Sequence, residues 1–441
     1  MKKIAILVFF TVGFFVHVWA CTGLIAGKQA TVDGSVLVTY SADSHTLYGA
    51  LTSSPAADWP KGSMRSIVEW DTNKPLGEIE QVEHTYAVIG NMNEHQLTVV
   101  ESTWGGRPEL VDTTGIIDYG SLMQLALERA KTAREAIKVM TGLVKKYGYY
   151  SSGESFTIAD PNEAWILDLI GKGPGRRGAV WVAVRIPDDC IAGHANYPRI
   201  HKIPMDDKEN CLYSPDVISF AREMGYFDGL NKDFSFARAY SPADFGALRA
   251  CDARVWSFFR KYDSSMDNYL PYVNGESAEP FPLYVKPSRK LSVQDMKEAM
   301  RDHFEDTPFD MTQDVGAGPF KVPYRFRPMS FEVDGKSYCM ERAIATQQTG
   351  FTLVGQMRNW LPDPVGGVLW FGVDDANTCV YIPMYCGITQ VPECFSPENG
   401  SMYDFSWTSA FWIHNWVANM AYARYEPMIG DIRKVQSAGE T

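Results

Sequence analysis

Residues 164–186 place the tightest constraint on how this chain folds. AWILDLI and AVWVAVRI flank the glycine-rich stretch GKGPGRRG. Neither run alternates apolar with polar residues, so a strand built from either is apolar on both faces. Such strands suit a sheet covered on both sides, and the glycine-rich link joins the two as an antiparallel hairpin. The spacing in GKGPGRRG is not that of a phosphate-binding Walker loop, so it reads as a plain connection.

The same unit recurs along the chain. CTGLIAG and SVLVTYS are joined by KQATVDG with its Asp33-Gly34 turn step, and TYAVIG and QLTVVES surround NMNEH. Each pair predicts a hairpin. Between the second and third hairpins the period changes. Residues 118–147 predict two consecutive helices: Leu122, Leu125, Leu127 and Ala130 make one apolar stripe. Thr132 with Glu135 forms a capping box ahead of Ile137, Met140, Leu143 and Val144, and Gly148 ends the pair. Hairpins separated by a helix pair suggest stacked sheets with helices outside. Residues 200–330 are more polar and irregular, with helical pieces near 215–224 and 242–261 and a proline-rich stretch at 279–287, and are expected to supply loops over a substrate. A last strand region runs through GFTLVGQMRNW, GGVLWFGVDD and CVYIPMY, and 405–425 reads as helix. Trp165, Trp181, Trp256 and Trp370 are expected in the core, which 45% hydrophobic and 13% aromatic residues are enough to fill.

The amino terminus reads as a leader. Lys2 and Lys3 precede an apolar run from Ile4 to Val18, interrupted by Thr11, Gly13 and His17. That run falls short of the ~20 apolar residues a bilayer needs, and Val18-Trp19-Ala20 ends in the small residue signal peptidase requires. Residues 1–20 are therefore expected to be a signal peptide and 21–441 one exported domain, periplasmic or secreted, with no stable membrane insertion after cleavage. Cutting after Ala20 makes Cys21 the first residue: a lipid anchor, half of a disulfide, or a nucleophile. Seven further cysteines cannot all pair with one another. A net charge of −12 argues against nucleic acid as a partner and for small molecules or peptides.

A thiol on the first residue lies within a few ångströms of its own α-amine. That amine titrates near ~7.7–8.0, against ~10.4 for a lysine side chain, so it can accept the thiol proton at neutral pH. Attack on an amide carbonyl and hydrolysis of the acyl-enzyme follow. Trp19 counts against the lipid anchor, because a lipobox has a small residue there.

CTGLIAGKQATVDGSVLV followed by SADS resembles the start of the cysteine dipeptidases of the N-terminal-nucleophile (Ntn) hydrolases, distant relatives of penicillin V acylase and bile salt hydrolase. GNMNEHQL, ALERAKTAREA, GESFTIADPNEAWILDLIGKG, HANYPRI, DARVW and the run from Arg342 to YIPMYCG are similar too. The resemblance implies an α+β fold, a four-layer αββα sandwich with additional C-terminal strands and helices, and hydrolysis of dipeptides through a Cys21 thioester without a cofactor. It makes Cys21 the nucleophile and gives Asp43 the terminal amine to hold. Asn93 becomes the side-chain donor of the oxyanion hole, Asn196 a second polar pocket residue, and Arg254 an arginine lining the pocket and a partner for the substrate carboxylate. His194 is expected to pack rather than act as a base. Where relatives carry Arg, three residues before the Asp, this chain has Tyr40; either its hydroxyl substitutes, another Arg fills the gap, or activity and substrate preference differ. Two rival functions stay open: the same chemistry on an N-acyl amino acid or conjugated bile acid, and a lipid-anchored binding protein without catalysis. Association into a homo-oligomer is also left open.

Overall fold

The computed structural model describes residues 21–325 and 330–440; the leader expected over residues 1–20 lies outside them. Directly after Cys21 comes β1 (Thr22–Ala26), which turns back into β2 (Val36–Asp43) with Gly23 opposite Tyr40 and Leu24 opposite Thr39. Asp33 builds the turn, accepting the Ser35 backbone N–H at 3.1 Å, while Gly34 takes φ +86°, a left-handed conformation that suits glycine. Next come β3 (Thr98–Trp104), α1 (Tyr119–Arg129), α2 (Ala133–Tyr147), β4 (Gly153–Ala159), β5 (Ala164–Gly171), β6 (Ala179–Ile186) and β7 (Ile191–His194). The second half adds α3 (Ala253–Arg260), α4 (Val293–Met300), β8 (Thr349–Met357), β9 (Val368–Val373), β10 (Ile382–Tyr385), α5 (Ala410–Ala423) and α6 (Tyr425–Gly439).

Two large antiparallel sheets result. One runs Tyr284–Val285, β7, β1, β2, β8, β9, β10; the other runs Cys211–Tyr213, β6, β5, β4, β3 and then the short strands Met92–Asn93, Val88–Ile89 and Ser53–Ser54. Side-chain alternation divides their residues between layers. Ile25, Val36, Val38, Val100, Ile166 and Ile170 meet between the two sheets. Leu24, Ala26 and Leu37 point out of the first sheet against α3 and α4, while Val99, Trp165, Leu167 and Leu169 point out of the second against α1 and α2. The architecture is α+β with helices outside two stacked sheets, as expected from strands apolar on both faces. Full burial of a side chain such as Leu24 or Ile25 contributes about 1.5–3 kcal/mol, so the strand that carries Cys21 is clamped from both sides.

The helix pair falls where the apolar stripe predicts it. Thr132 caps α2 by accepting the Glu135 N–H at 3.3 Å, but Glu135 reaches back to the Lys131 N–H at 2.9 Å rather than to that of Thr132. The hairpin expected over 85–102 is broken: TYAVIG supplies Thr85 to a short strand paired with Ala57–Asp58 and then the two-residue strand Val88–Ile89, and QLTVVES becomes the interior strand β3, paired along its length with β4. Trp165 and Trp256 are buried, whereas Trp181 and Trp370 are half-buried. All eight cysteines are unpaired. Among the described residues no helix is long and apolar enough to cross a membrane.

Candidate active site

Cys21 stands where the two sheets meet. Its Sγ is 3.6 Å from the Tyr40 hydroxyl, across the hairpin on β2, and donates at 3.5 Å to Oε1 of Glu101, on β3 of the facing sheet. Tyr40 donates its own short hydrogen bond to the same carboxylate oxygen. Gly23 opposes His194 in the sheet, and a Cβ at position 23 would lie 2.8 Å from the His194 ring. A glycine after Cys21-Thr22 is what lets the imidazole pack there. That ring sits between the hydroxyls of Ser102 (2.6 Å) and Thr157 (2.8 Å), and burial pulls it down to about 3. It is a neutral packing residue, as expected.

Burial pushes the Cys21 thiol well above the ordinary cysteine range. The charges of Glu101 and then Asp43 push the same way, against the Asp43 backbone N–H and the Tyr40 hydroxyl, which favour thiolate. The resting sulfur is therefore a thiol. Asp43 closes β2 and is fully buried; its carboxylate accepts hydrogen bonds from Thr349 Oγ1 (2.6 Å), Ser41 Oγ (3.0 Å) and the Arg342 guanidinium. The question raised by Tyr40 thus divides in two. Tyr40 occupies the place beside the sulfur with a hydroxyl, and Arg342 brings the cation to Asp43 instead.

Arg254 lies behind the nucleophile. Nη1 donates to the Cys21 carbonyl oxygen and to Thr22 Oγ1, both at 2.8 Å; Nη2 donates to the Ala195 carbonyl (3.2 Å) and Asn196 Oδ1 (2.7 Å); Nε donates to the Ala250 carbonyl (2.8 Å). A guanidinium has five N–H donors, and all five are committed to the protein. The expectation that Arg254 receives the substrate carboxylate is corrected on that ground: it positions Cys21 and Asn196. Asn196, in the left-handed conformation at φ +56°, donates its amide to the Thr103 carbonyl at 2.6 Å and so ties the two sheets together beside the site.

Asn93 is also placed differently. Its Nδ2 donates to the carbonyls of Leu127 and Ala130, each at 2.8 Å, and its Oδ1 accepts the N–H groups of His95 and Leu97. Both amide hydrogens are used to hold the end of α1, and the side chain is fully buried. Asn91, two residues earlier, instead lines the cavity onto which Cys21 opens, and donates to the Val99 carbonyl at 3.0 Å.

That cavity measures about 300 Å³. Its walls come from the end of β2 and the segment after it, from Trp70 and Asp71, from the turn at Gly90, from α1, and from Phe351 and Phe371; the described residues of 200–330 contribute nothing to them. The expectation of covering loops from 200–330 is corrected, since that stretch builds α3, α4 and the outer layer. Among the described residues three carboxylates line the cavity, Asp43, Asp71 and Glu101, and no lysine, arginine or histidine does. Asp71 accepts a 2.8 Å hydrogen bond from Tyr119, and burial pushes it up to about 6. Sequence reasoning passed over Glu101, although a lone acid inside the apolar strand QLTVVES marks a buried charge that needs a reason.

A family model described as Peptidase family C69 matches residues 20–438. The "Probable dipeptidase" of Latilactobacillus sakei is 24% identical, the match covering 92% of this chain and 82% of that protein. The "Probable dipeptidase" of Salmonella dublin is 27% identical over 84% of this chain and 81% of its own length. "Dipeptidase A" of Lactobacillus helveticus is 24% identical over 92% and 82%.

Proposed function

This chain belongs to peptidase family C69, and from that membership together with the surroundings of Cys21 we propose an exported dipeptidase whose nucleophile is the Cys21 thiol. Membership makes it a peptidase. The observation that carries the reading of the nucleophile is the position of Cys21: its sulfur opens onto a closed-in cavity of about 300 Å³ while an arginine holds its carbonyl from behind. A cavity at the small end of the range for ligand sites suits a substrate of dipeptide size. Lys2, Lys3 and the apolar run to Ala20 support removal of residues 1–20, export, and a free α-amine on Cys21.

The chemistry follows from a buried thiol that is not ionised at rest. Thiolate is too scarce to attack by itself, so proton loss accompanies attack: the α-amine takes the thiol proton as Sγ bonds to the carbonyl carbon of the first substrate residue. Collapse of the tetrahedral adduct breaks the peptide bond. The second amino acid leaves as an amine, protonated by the Cys21 ammonium, and the first stays as a thioester. Water then adds to the thioester, giving its proton to the same amine, and the released thiolate is reprotonated. Asn91 lines the cavity and donates one amide hydrogen to Val99; the second is assigned to the developing oxyanion, a role Asn93 cannot fill.

Acid quenching during dipeptide turnover, followed by mass analysis of peptides, tests this. The Cys21 peptide is expected to carry the aminoacyl group of the first substrate residue, and Cys21→Ala to lose the adduct and several orders of magnitude of activity. An adduct on another residue, or full turnover by Cys21→Ala, overturns it.

A further inference from the structure

Some buried carboxylates in this protein, such as Asp160 and Asp168, are held by neutral hydrogen-bond donors alone, and others are paired with a cation. Asp43 has Arg342, Asp252 has Arg199, and Glu440 has Arg301. Glu101 is only 2% exposed and lines the cavity, yet it forms no ion pair among the described residues. Its Oε1 takes the hydrogen bonds of Tyr40 and Cys21, while its Oε2 receives none from any hydroxyl, amide or cationic group described. Glu154, buried beside it on β4, is pushed well up by burial first, then by Glu101 and by the side-chain hydrogen bond between the two. The partners of Glu101 are thus a hydroxyl, a thiol and a carboxyl, with no cation among the described residues, and the residue lines the substrate cavity.

We propose that Glu101 binds the free α-ammonium of the substrate, which restricts the enzyme to amides of residues with an unblocked amino terminus. This rests on Cys21 being the nucleophile. A sulfur poised for attack lies ~3–3.5 Å from the carbonyl carbon, and the α-nitrogen is two bonds further on, about 2.5 Å from that carbon. The ammonium therefore falls roughly 3.5–5 Å from Sγ. The Glu101 carboxylate oxygen, 3.5 Å from Sγ, lies at a comparable distance from the sulfur and on the same cavity wall. With no cation among the described residues of the wall to receive the substrate carboxylate, the cavity recognises its ligand by the amino end.

The test compares alanyl-alanine with propanoyl-alanine, which differs only in lacking the α-amine. The mature protein is expected to prefer alanyl-alanine by about 10- to 100-fold in kcat/KM, the worth of one charge-assisted hydrogen bond. Glu101→Gln is expected to erase that preference. Alanyl-alanine should also shield Cys21 of the parent from iodoacetamide at concentrations where propanoyl-alanine does not, a measurement that needs no variant to fold. Equal kcat/KM and equal shielding for the two compounds in the parent overturn the proposal. So does a preference that survives in Glu101→Gln, because an equal fall for both substrates means that Glu101 serves Cys21 or its amine instead. Failure of Cys21 as the nucleophile shows separately, as turnover by Cys21→Ala.

Discussion

The Arg254 guanidinium donates to the carbonyl oxygen of Cys21 at 2.8 Å, and through its other nitrogen to Asn196 Oδ1 at 2.7 Å. One buried cation therefore fixes the backbone of the nucleophile and the side chain that bridges the two sheets. Lysine has three donors on a single nitrogen and cannot reproduce the fork. Arg254→Lys is expected to lower kcat about 10- to 100-fold with little change in KM, since the loss lies in holding the sulfur in line rather than in binding substrate. Steady-state kinetics check this; a raised KM at unchanged kcat would return Arg254 to the substrate carboxylate.

Asn91 and Asn93 are expected to separate chemistry from stability. Asn93→Ala removes two hydrogen bonds at the end of α1 and two within its own turn and should cost roughly 2–4 kcal/mol of folding stability, with kcat of the folded fraction nearly unchanged. Asn91→Ala should leave the urea midpoint nearly in place and lower kcat by ~10²- to 10³-fold, the usual loss for one oxyanion donor. Urea titration beside turnover distinguishes the two, and the reverse pattern restores Asn93 to the oxyanion hole.

Tyr40 faces the thiol and favours its ionised form, against burial and the neighbouring carboxylates. Burial, Glu101 and Asp43 hold Cys21 above the ordinary thiol range, so iodoacetamide labelling of the parent should be slow at pH 7 and still be rising beyond pH ~8.5. A guanidinium at position 40 favours thiolate and neutralises Glu101, so the thiol pKa falls. Tyr40→Arg is expected to label at least about tenfold faster at pH 7, the equivalent of one pKa unit, and to move the ascending limb of the pH–rate profile to lower pH. Identical labelling profiles in parent and variant would mean that position 40 does not reach the sulfur.

Much of the scaffold was legible because it is written in local periodicity. Strands apolar on both faces gave the two covered sheets, and the stripe from Leu122 to Val144 gave the helix pair. The hairpin over 85–102 was not, because β3 pairs along its length with β4, whose residues come 49 to 61 positions later, and that partnership leaves no mark in the turn between them. The site shows the same division. Cys21 and Asp43 lie on one hairpin and were found together. Asn93 was assigned to catalysis because its turn is visible in sequence, while the two carbonyls that consume its amide belong to residues 34 and 37 positions later. Arg342 meets Asp43 from 299 positions away, a pairing that no spacing rule reveals.

The central claim is that the thiol of Cys21 works with its own free amine. Two proteins test it most directly, one beginning at Cys21 and one retaining Ala20, matched for melting temperature and compared on the same dipeptide. The form beginning at Cys21 is expected to turn over, and the form with Ala20 to be slower by ~10²- to 10⁴-fold, the range for loss of a positioned general base, because an amide nitrogen takes no proton from the thiol. Equal turnover by the two forms would contradict the account.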